Sequence, residues 1–547
     1  MNIKRLITSA LLSLFAVASF HAVADNVSVD EARAMANTFI KSHYMASPGS
    51  LKAPAMADIV LAHAEPSTKL PRANVYYMFN IKGGGFIIVS GEDHALPVLA
   101  YSDEGQLDFN NISEPLQDIL SAYKAEIEYL LTHDIKAPKS FKQTLNEGSP
   151  VVGPLTLTEW GPESPYNTQC PPNNGTFSKV GCVAVAQAQY VYFWKYPVTC
   201  DSLPAYYGSR LKDTVPALPP TTFEYNKMLL SYGYWNINTQ KFVPYDYTQE
   251  QVYEVAKLCR YCGQASKMNY SAGSSTSDGV SKGLKILGYD AAGKIISMAD
   301  YELEDWHAII KGILDQEKPI MYMGFGTGSP SHAFICDGYT DDDYFHMNLG
   351  WYGYNNGWYA LTAFSFINRY DKYRIYDIYQ RLIINNDPPL FCQVNSEINV
   401  DGSLFVLGDT FYPQAVDVDL YMTYRTLPFM FSLTDAQGNT VAQSDEITLR
   451  RLTFEQRSDI TLAFTLPETL PNGTYYLHFN YRANDNEPLT SVVAAEEQLN
   501  VVGRLVKYGA PFGIADVVDA IDSILDEAHG DLNIGDVTTL IDYLLEN

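Results

Sequence analysis

The hydrophobic pattern opens with Lys4 and Arg5 ahead of an apolar run from Leu6 to Phe20, which closes on Ala22-Val23-Ala24. A basic start, a short apolar stretch and an A-x-A ending form an export leader, so cleavage is expected after Ala24. The run is short for a bilayer span, and no later stretch reaches about 18 uninterrupted apolar residues. The exported chain is therefore expected to carry no membrane span and no lipid anchor.

Beyond the leader the periodicity changes three times. From Asn26 to about Glu147 a helical pattern ("SVDEARAMANTFIKSHY") gives way to β-rich runs in "NVYYMFNIKGGGFIIVSGED", then to a second helix near "PLQDILSAYKAEIEYLLTH". This reads as an α+β unit. Gly83 to Gly85 are followed by a strand pattern, whereas a phosphate loop needs a helix there, so they are expected to form a tight hairpin. After the polar stretch "KSFKQTLNEGSPVVGP" a second unit, rich in Tyr, Trp and Gly, runs to the turn signal "NNDPP" past Ile384. Short alternating runs such as "VDLYMTYR", "ITLAFTL" and "TYYLHFNYR", separated by "AQGN" and "LPNG", predict a β-sandwich over 390–502. The end holds a faint repeat, "GIADVVDAIDSIL" and "NIGDVTTLIDYLL", read as two short amphipathic helices.

Length agrees with several units, since 547 residues at about 100 to 200 per domain make roughly three or four. Composition is that of a globular chain, 46% apolar with 40 tyrosines. The formal charge of −26 repels phosphate backbones and anionic lipid, which argues against nucleic acid and membrane surfaces as partners. Seven cysteines in an exported chain leave at least one that cannot pair internally. Cys259 and Cys262 make a lone C-x-x-C in a helical pattern without a second pair or a nearby histidine, so they are read as a packed helix face rather than a zinc site.

Cys182 is different, because it follows Gly181 and heads the apolar run "VAVAQAQYVYFWKY". A nucleophilic thiol needs its thiolate stabilised, and a helix N-terminus or an imidazolium can do this. The glycine permits a sharp entry and close approach of a substrate backbone, and the Cys182 amide could donate to an oxyanion. A buried structural cysteine would suit the same run. The unit from Val151 to Ile384 holds three histidines, His307, His332 and His346. His307 sits in a helical pattern as a surface or boundary residue, and His346 in a strand that packs it in a sheet. His332 opens the strand "HAFICDGY" after a glycine-rich loop, where a side chain can face a cleft. A hairpin around "YTDDD" would set His332 opposite the Asn348–Leu349 region, letting Asn348 orient the ring. Cysteine, histidine and asparagine in that order make the thiol-protease version of nucleophile, base and orienting group. Neither H-E-x-x-H nor G-x-S-x-G occurs.

The segments "SPYNTQCP", "VGCVAVAQAQYVYFWKYP", "NYSAGSSTSDGVSKGLKILGYD", "KPIMYMG", "SHAFICDGY" and "YFHMNLGWYGYNNGWYAL" resemble the streptopain family (peptidase family C10) of secreted papain-like cysteine proteases. The upstream unit, above all "VYYMFNIKGGGFIIVSGEDHALPVLAYSDEG", is similar to that family's propeptide. The resemblance implies an α+β fold: a papain-like bilobed catalytic domain with an α+β propeptide, followed here by an all-β sandwich and a short helical pair. The implied organisation is a signal peptide 1–24, an inhibitory propeptide 25–148, a catalytic domain 149–385, the β-sandwich 390–502 and a dockerin-like tail 503–547, with processing near Ser149 or Pro150. It implies a zymogen in which Cys182 is nucleophile, His332 general base and acid, and Asn348 the ring-orienting residue. Gly181, Trp351 and Trp358 would line or shield the cleft. Implied partners are protein or peptide substrates, the chain's own propeptide as inhibitor, and a surface-assembly partner for the tail, with no metal or organic cofactor.

Two departures weaken the resemblance to an active enzyme. Pro162 stands where the family has a glutamine donating to the oxyanion, a loss on the order of 10² to 10³ in turnover unless another group substitutes. Asn167, Gln169 and Asn173 are the nearby candidates. Leu349 replaces a tryptophan that would shield the Asn348–His332 pair. The alternative reading is therefore an exported pseudo-protease, or a surface binding or adhesion module. The tail's calcium loops lack most of their expected oxygen ligands, so tight calcium binding is not expected, and a helical hairpin capping the sandwich fits equally well.

Overall fold

The computed structural model describes residues 26–46, 58–133, 149–237, 239, 241–273, 275–277, 279–327, 332–364, 378–388, 393–394, 397–419, 427–449, 457–482, 489–525 and 532–547. The leader, the stretch 134–148, part of the glycine-rich loop before His332, and Cys392 lie outside the described residues. What is described falls into two compact units that divide between Asp387 and Pro388, apart from Trp194–Tyr196, which group with the second.

The first unit begins with α1 (Val29–Ala46), the strands β1 (Ile59–Pro66), β2 (Asn74–Ile81), β3 (Phe86–Ser90) and β4 (Val98–Ser102), and α2 (Glu114–Thr132). Strand alternation explains why helices cover both faces of this sheet. Tyr77, Phe79, Ile87 and Val89 pack with Ala32, Ala36, Phe39 and Ile40 of α1. Their neighbours Tyr76, Met78, Phe86 and Ile88 share a core with α2. The triple glycine makes the β2–β3 hairpin, with φ of 103°, 127° and 96° at Gly83, Gly84 and Gly85. A Cβ at Gly85 would sit 2.7 Å from the Ser102 carbonyl oxygen.

α2 starts where Ser113 caps it, its hydroxyl accepting from the Leu116 amide at 3.4 Å, with Pro115 in the first turn. Leu116, Ile119, Leu120, Tyr123 and Ile127 recur at helical spacing and are all buried. They face Ile320, Tyr322, Phe334 and Met347 of the later sheet, so one core joins the two parts of the chain.

That later part holds β5 (Pro150–Val152), α3 (Cys182–Trp194), α4 (Gln249–Ala265), α5 (Val280–Ile286), β6 (Lys294–Ser297), α6 (Leu303–Leu314), β7 (Ile320–Thr327), β8 (His332–Thr340), β9 (Phe345–Asn348), β10 (Gly357–Tyr359) and β11 (Ile378–Ile384). α3 is apolar almost all round and its side chains are nearly all buried, as expected of a central helix. α4 carries a capping box between Thr248 and Gln251. The C-x-x-C lies on α4 with Cys259 and Cys262 both fully buried.

The strands form one antiparallel sheet in the order β1-β2-β3-β4-β10-β9-β8-β7-β11-β6, with β5 added beside β8. Its two halves meet through Tyr101↔Trp358 and Ala100↔Tyr359. Trp358, expected in the cleft, is therefore a core residue: it is 6% exposed, stacks on Tyr101 at 6.4 Å between centroids, and packs with α1's layer. Strand pairing with β4 turns its ring away from that role.

The second unit is rich in antiparallel strands, including Gln414–Asp419, Leu427–Thr434, Arg457–Thr461, Gly473–Tyr481, Thr490–Val502 and Leu505–Tyr508. Ala415, Val418 and Ile460 from one group of strands share a core with Phe429, Phe431, Leu477, Phe479 and Leu499 from the other. The repeat forms α7 (Ile514–Leu525) and α8 (Ile534–Glu546), which pack through Phe512, Ala520, Val537 and Leu540 onto Val406, Val502 and Leu505. Asp516 is bound by the Lys507 ammonium and the Gly513 amide, and Asp536 closes the Asn533 capping box. Both repeat carboxylates thus serve as caps.

Candidate active site

Cys182 is the first residue of α3, and Gly181 before it has φ +87°, the left-handed region that glycine tolerates. A Cβ at Gly181 would lie 2.7 Å from the Ser275 carbonyl oxygen and 2.8 Å from the Met268 sulfur, so the entry into the helix admits no side chain. Val185 donates to the Gly181 carbonyl at 3.0 Å, closing the first turn and leaving the amides at the head of α3 directed outward. Among the described thiols, Cys182 alone is not buried. Burial raises Cys170 to about 12 and Cys200 to about 11, and pushes Cys259, Cys262 and Cys336 higher. Those five are packed in the interior, where burial disfavours the thiolate.

Cys182 and His332 line one cleft of about 420 Å³, together with Gly181, Trp351, Pro162 and Lys179. The same lining includes Glu114, the first residue of α2. His332 donates from Nδ1 to Asp118 at 2.8 Å, and its Nε2 lies 3.5 Å from Glu114. Burial pulls the imidazolium down, but the Asp118 and Glu114 carboxylates, with Cys182 close by, outweigh it and hold its pKa up to about 10. Glu114 is held below the usual carboxylate range, mainly by its bond with His332. The first two turns of α2 therefore meet the cleft and engage both ring nitrogens, Glu114 from the first and Asp118 from the second.

The register of β8 and β9 differs from the expected one. The two strands pair close up to the turn, with Tyr339 opposite Phe345 and Gly338 opposite His346, so that beyond a bulge between Cys336 and Gly338 Asn348 falls opposite Ile335, while His332 lies opposite Gly324 of β7. Asn348 has other partners. Its amide donates to the Thr158 carbonyl at 2.6 Å and the Thr156 hydroxyl at 3.3 Å, and its oxygen accepts from Gln189 of α3 at 3.3 Å and from the Gly350 amide at 3.2 Å. The expected Asn348–His332 bond is replaced by a clip tying the sheet to the cysteine helix, with the ring held by acids that no local reading of β8 could supply.

The remaining residues sort by burial. His346 is buried and donates to Asp337 at 2.6 Å, as its strand position suggested. His307 is half-buried on α6, 3.5 Å from Asp343. Trp351 lies at the cleft with the Lys179 ammonium 5.7 Å from its ring centre. Pro162 lines the cleft as expected, but the amides of Asn167 and Gln169 turn to the carbonyls of Ser178 and Tyr253, and neither they nor Asn173 line it. Asp118, Glu114 and Lys179 were not among the expected site residues; the acidic start of α2 is visible in the sequence, but its destination is not.

This cleft occurs in a chain whose residues 160–359 match the Peptidase C10 family and whose residues 24–127 match the Spi protease inhibitor family. Residues 160–359 thus form a peptidase domain similar to the C10 peptidases, a family of cysteine proteases, with a zymogen-type inhibitor domain ahead of it. Streptopain from Streptococcus pyogenes is 29% identical over 397 residues, covering 67% of this chain and 94% of streptopain. The thiol protease/hemagglutinin PrtT of Porphyromonas gingivalis is 26% identical over 314 residues, 53% of this chain and 34% of PrtT. Among solved structures, a prointerpain A fragment from Prevotella intermedia aligns with a TM-score of 0.46 at 23% identity, covering 60% of this chain and 100% of the fragment. Active interpain A aligns with a TM-score of 0.35 at 26% identity, covering 43% of this chain and 94% of that one.

Proposed function

We propose that the protein is an exported endopeptidase made as a zymogen, in which Cys182 is the nucleophile and His332 the general base and acid. The observation that carries this reading is the shared cleft of Cys182 and His332, with the ring held by acids of the inhibitor domain. Once α2 leaves, His332 is free to take the Cys182 proton. The thiolate attacks a peptide carbonyl, the amide of Cys182 donates to the oxyanion, and the imidazolium protonates the leaving amine before activating water for deacylation. The domain boundaries read from the sequence, processing near Ser149 or Pro150, and export by the leader are part of this proposal. Among the described residues no helix is long and apolar enough to cross a membrane.

Asn348 acts as a positioning residue that holds the cleft's two walls together. Trp351 lines the cleft and shields the Cys182–His332 region. The tail is proposed to dock an assembly partner, because Ile514, Leu525, Ile534 and Leu545 leave their side chains more than two-thirds exposed on α7 and α8, at matching places in the repeat. Pro162 at the cleft favours a second reading, a feeble or inactive peptidase retained for binding.

The deciding measurement is peptide hydrolysis under reducing conditions by the full chain and by Cys182→Ala, with loss of the inhibitor domain followed on a gel. Turnover and self-processing that vanish in the variant support the proposal. Absence of turnover after the inhibitor domain is cut away by an added protease would overturn it in favour of the binding reading.

A further inference from the structure

The cleft lacks the side-chain donor expected at position 162, and another group stands beside that position. Lys179, three residues ahead of Cys182, lines the cleft with Pro162, Glu114, His332 and Trp351. Its backbone is fixed at both ends: the amide donates to the Ser271 carbonyl at 3.0 Å, and the carbonyl accepts from the Ser275 hydroxyl at 2.6 Å. The next amide, of Val180, donates to the Pro162 carbonyl at 2.8 Å, so Lys179 and position 162 belong to one wall. The Lys179 side chain is 19% exposed, and its ammonium lies 3.0 Å from Glu163, whose own amide donates to the Tyr352 hydroxyl at 2.9 Å. Glu163 thus holds the ammonium next to the place where the glutamine is missing. An ammonium has three donors, and among the described residues its other neighbours are the Trp351 ring, 5.7 Å to the centre, and the Glu114 carboxylate at 4.0 Å.

Glu114 marks what that ammonium faces. One of its carboxylate oxygens lies 4.0 Å from Lys179 Nζ and the other 3.5 Å from His332 Nε2, so a single carbon carries one oxygen towards the base and one towards the ammonium. The tetrahedral adduct of a peptide needs the same disposition, with its leaving nitrogen towards the imidazolium and its oxyanion towards a donor. We infer that Lys179 is the second oxyanion donor of this cleft, taking the part of the missing glutamine once Glu114 has left with the inhibitor domain. The inference rests on the peptidase reading of the same cleft. As the bond between Cys182 Sγ and the carbonyl carbon forms, the carbonyl π pair moves onto oxygen, which accepts from the Cys182 amide and the Lys179 ammonium. When that pair returns, the carbon–nitrogen bond breaks and the His332 proton goes to the leaving amine. Lys179 keeps all three of its protons and only stabilises charge. Its rotatable donors on a flexible stem need less strict placement than a planar amide.

The test measures kcat and KM for one peptide on protein whose inhibitor domain has been cut away by an added protease, in the parent, Lys179→Met, Lys179→Arg, Pro162→Gln and the double variant Lys179→Met with Pro162→Gln. Lys179→Met should lower kcat by on the order of 10² to 10³ with KM within about threefold, the mark of an interaction made in the transition state. Lys179→Arg keeps a charged donor and should retain at least about a tenth of the parental kcat. Pro162→Gln should recover at least about tenfold in the Lys179→Met background yet change the parent by less than about threefold, because two donors to one oxyanion are not additive. Melting midpoints are read alongside, since a lysine that serves only to pair with Glu163 would lower stability without changing kcat. A Lys179→Met kcat within about threefold of the parent, or a loss that neither Lys179→Arg nor Pro162→Gln relieves, would overturn the inference, and Cys182-dependent turnover in the parent would leave the peptidase reading intact. Absence of turnover in the parent would overturn both.

Discussion

Gly181 and Asp118 show how single side chains set the state of the cleft. Gly181→Ala should cost about 1–3 kcal/mol in stability and more than tenfold in kcat/KM, because its left-handed φ and the nearby Ser275 carbonyl both resist a Cβ. Paired thermal melts and peptide kinetics check this. Asp118→Asn takes the negative charge from the acceptor at 2.8 Å from His332, and charged hydrogen bonds of this kind contribute about 1.5–3 kcal/mol. Self-processing, followed by gel, should then accelerate roughly 10- to 100-fold. The clamp is also pH-dependent. Because His332 is raised to about 10, its contribution is complete below its unfolded value of about 6.5 and fades as pH rises through 10. Glu114 is lowered, so its part is present above its ordinary value of 4.5 and is lost as pH falls through the lower folded one. Inhibitor release should be slowest near mildly acidic pH and faster at both extremes, as a stopped-assay pH series would read.

At the scale of elements, α2 decides the outcome through both of its ends. Its first two turns hold His332, while Glu126, buried further along, accepts from the Ala363 amide and the Thr362 hydroxyl. Burial, only partly offset by those bonds, raises Glu126 to about 8. A raised carboxyl contributes fully below its unfolded value and loses its contribution as pH climbs through 8. Glu126→Gln keeps the shape without the charge. It should leave the zymogen's melting midpoint nearly unchanged at pH 4, below the unfolded value, and raise it relative to the parent at pH 9. A higher parent midpoint at pH 9 would contradict this assignment.

Across the whole first unit, inhibitor and peptidase share a core and one sheet, so processing removes a face of packed apolar side chains along with the β4–β10 strand pairing. The melting midpoint of that unit should fall on processing by about 10 °C, as loss of a tightly docked partner implies. Scanning calorimetry before and after cleavage measures it. The second unit, with its own core, should melt unchanged.

Much of this molecule was legible along the chain. Helical spacing in α2, alternation in β2 and β3, the Gly83–Gly85 turn, and the Gly181–Cys182 helix entry are local, because backbone preference and side-chain period are set by neighbours in sequence. His332 at the head of a strand belonged to the same class. What pairs with what was decided only by tertiary structure. The tight β8–β9 turn set a register with Asn348 opposite Ile335, Trp358 was drawn into the core by pairing with Tyr101, and Asp118 reached His332 across 214 positions of sequence. A one-residue bulge or a distant helix costs little in local terms, so sequence pattern carries scant record of it, whereas the shared core of α2 and the peptidase sheet determines where each of these side chains ends.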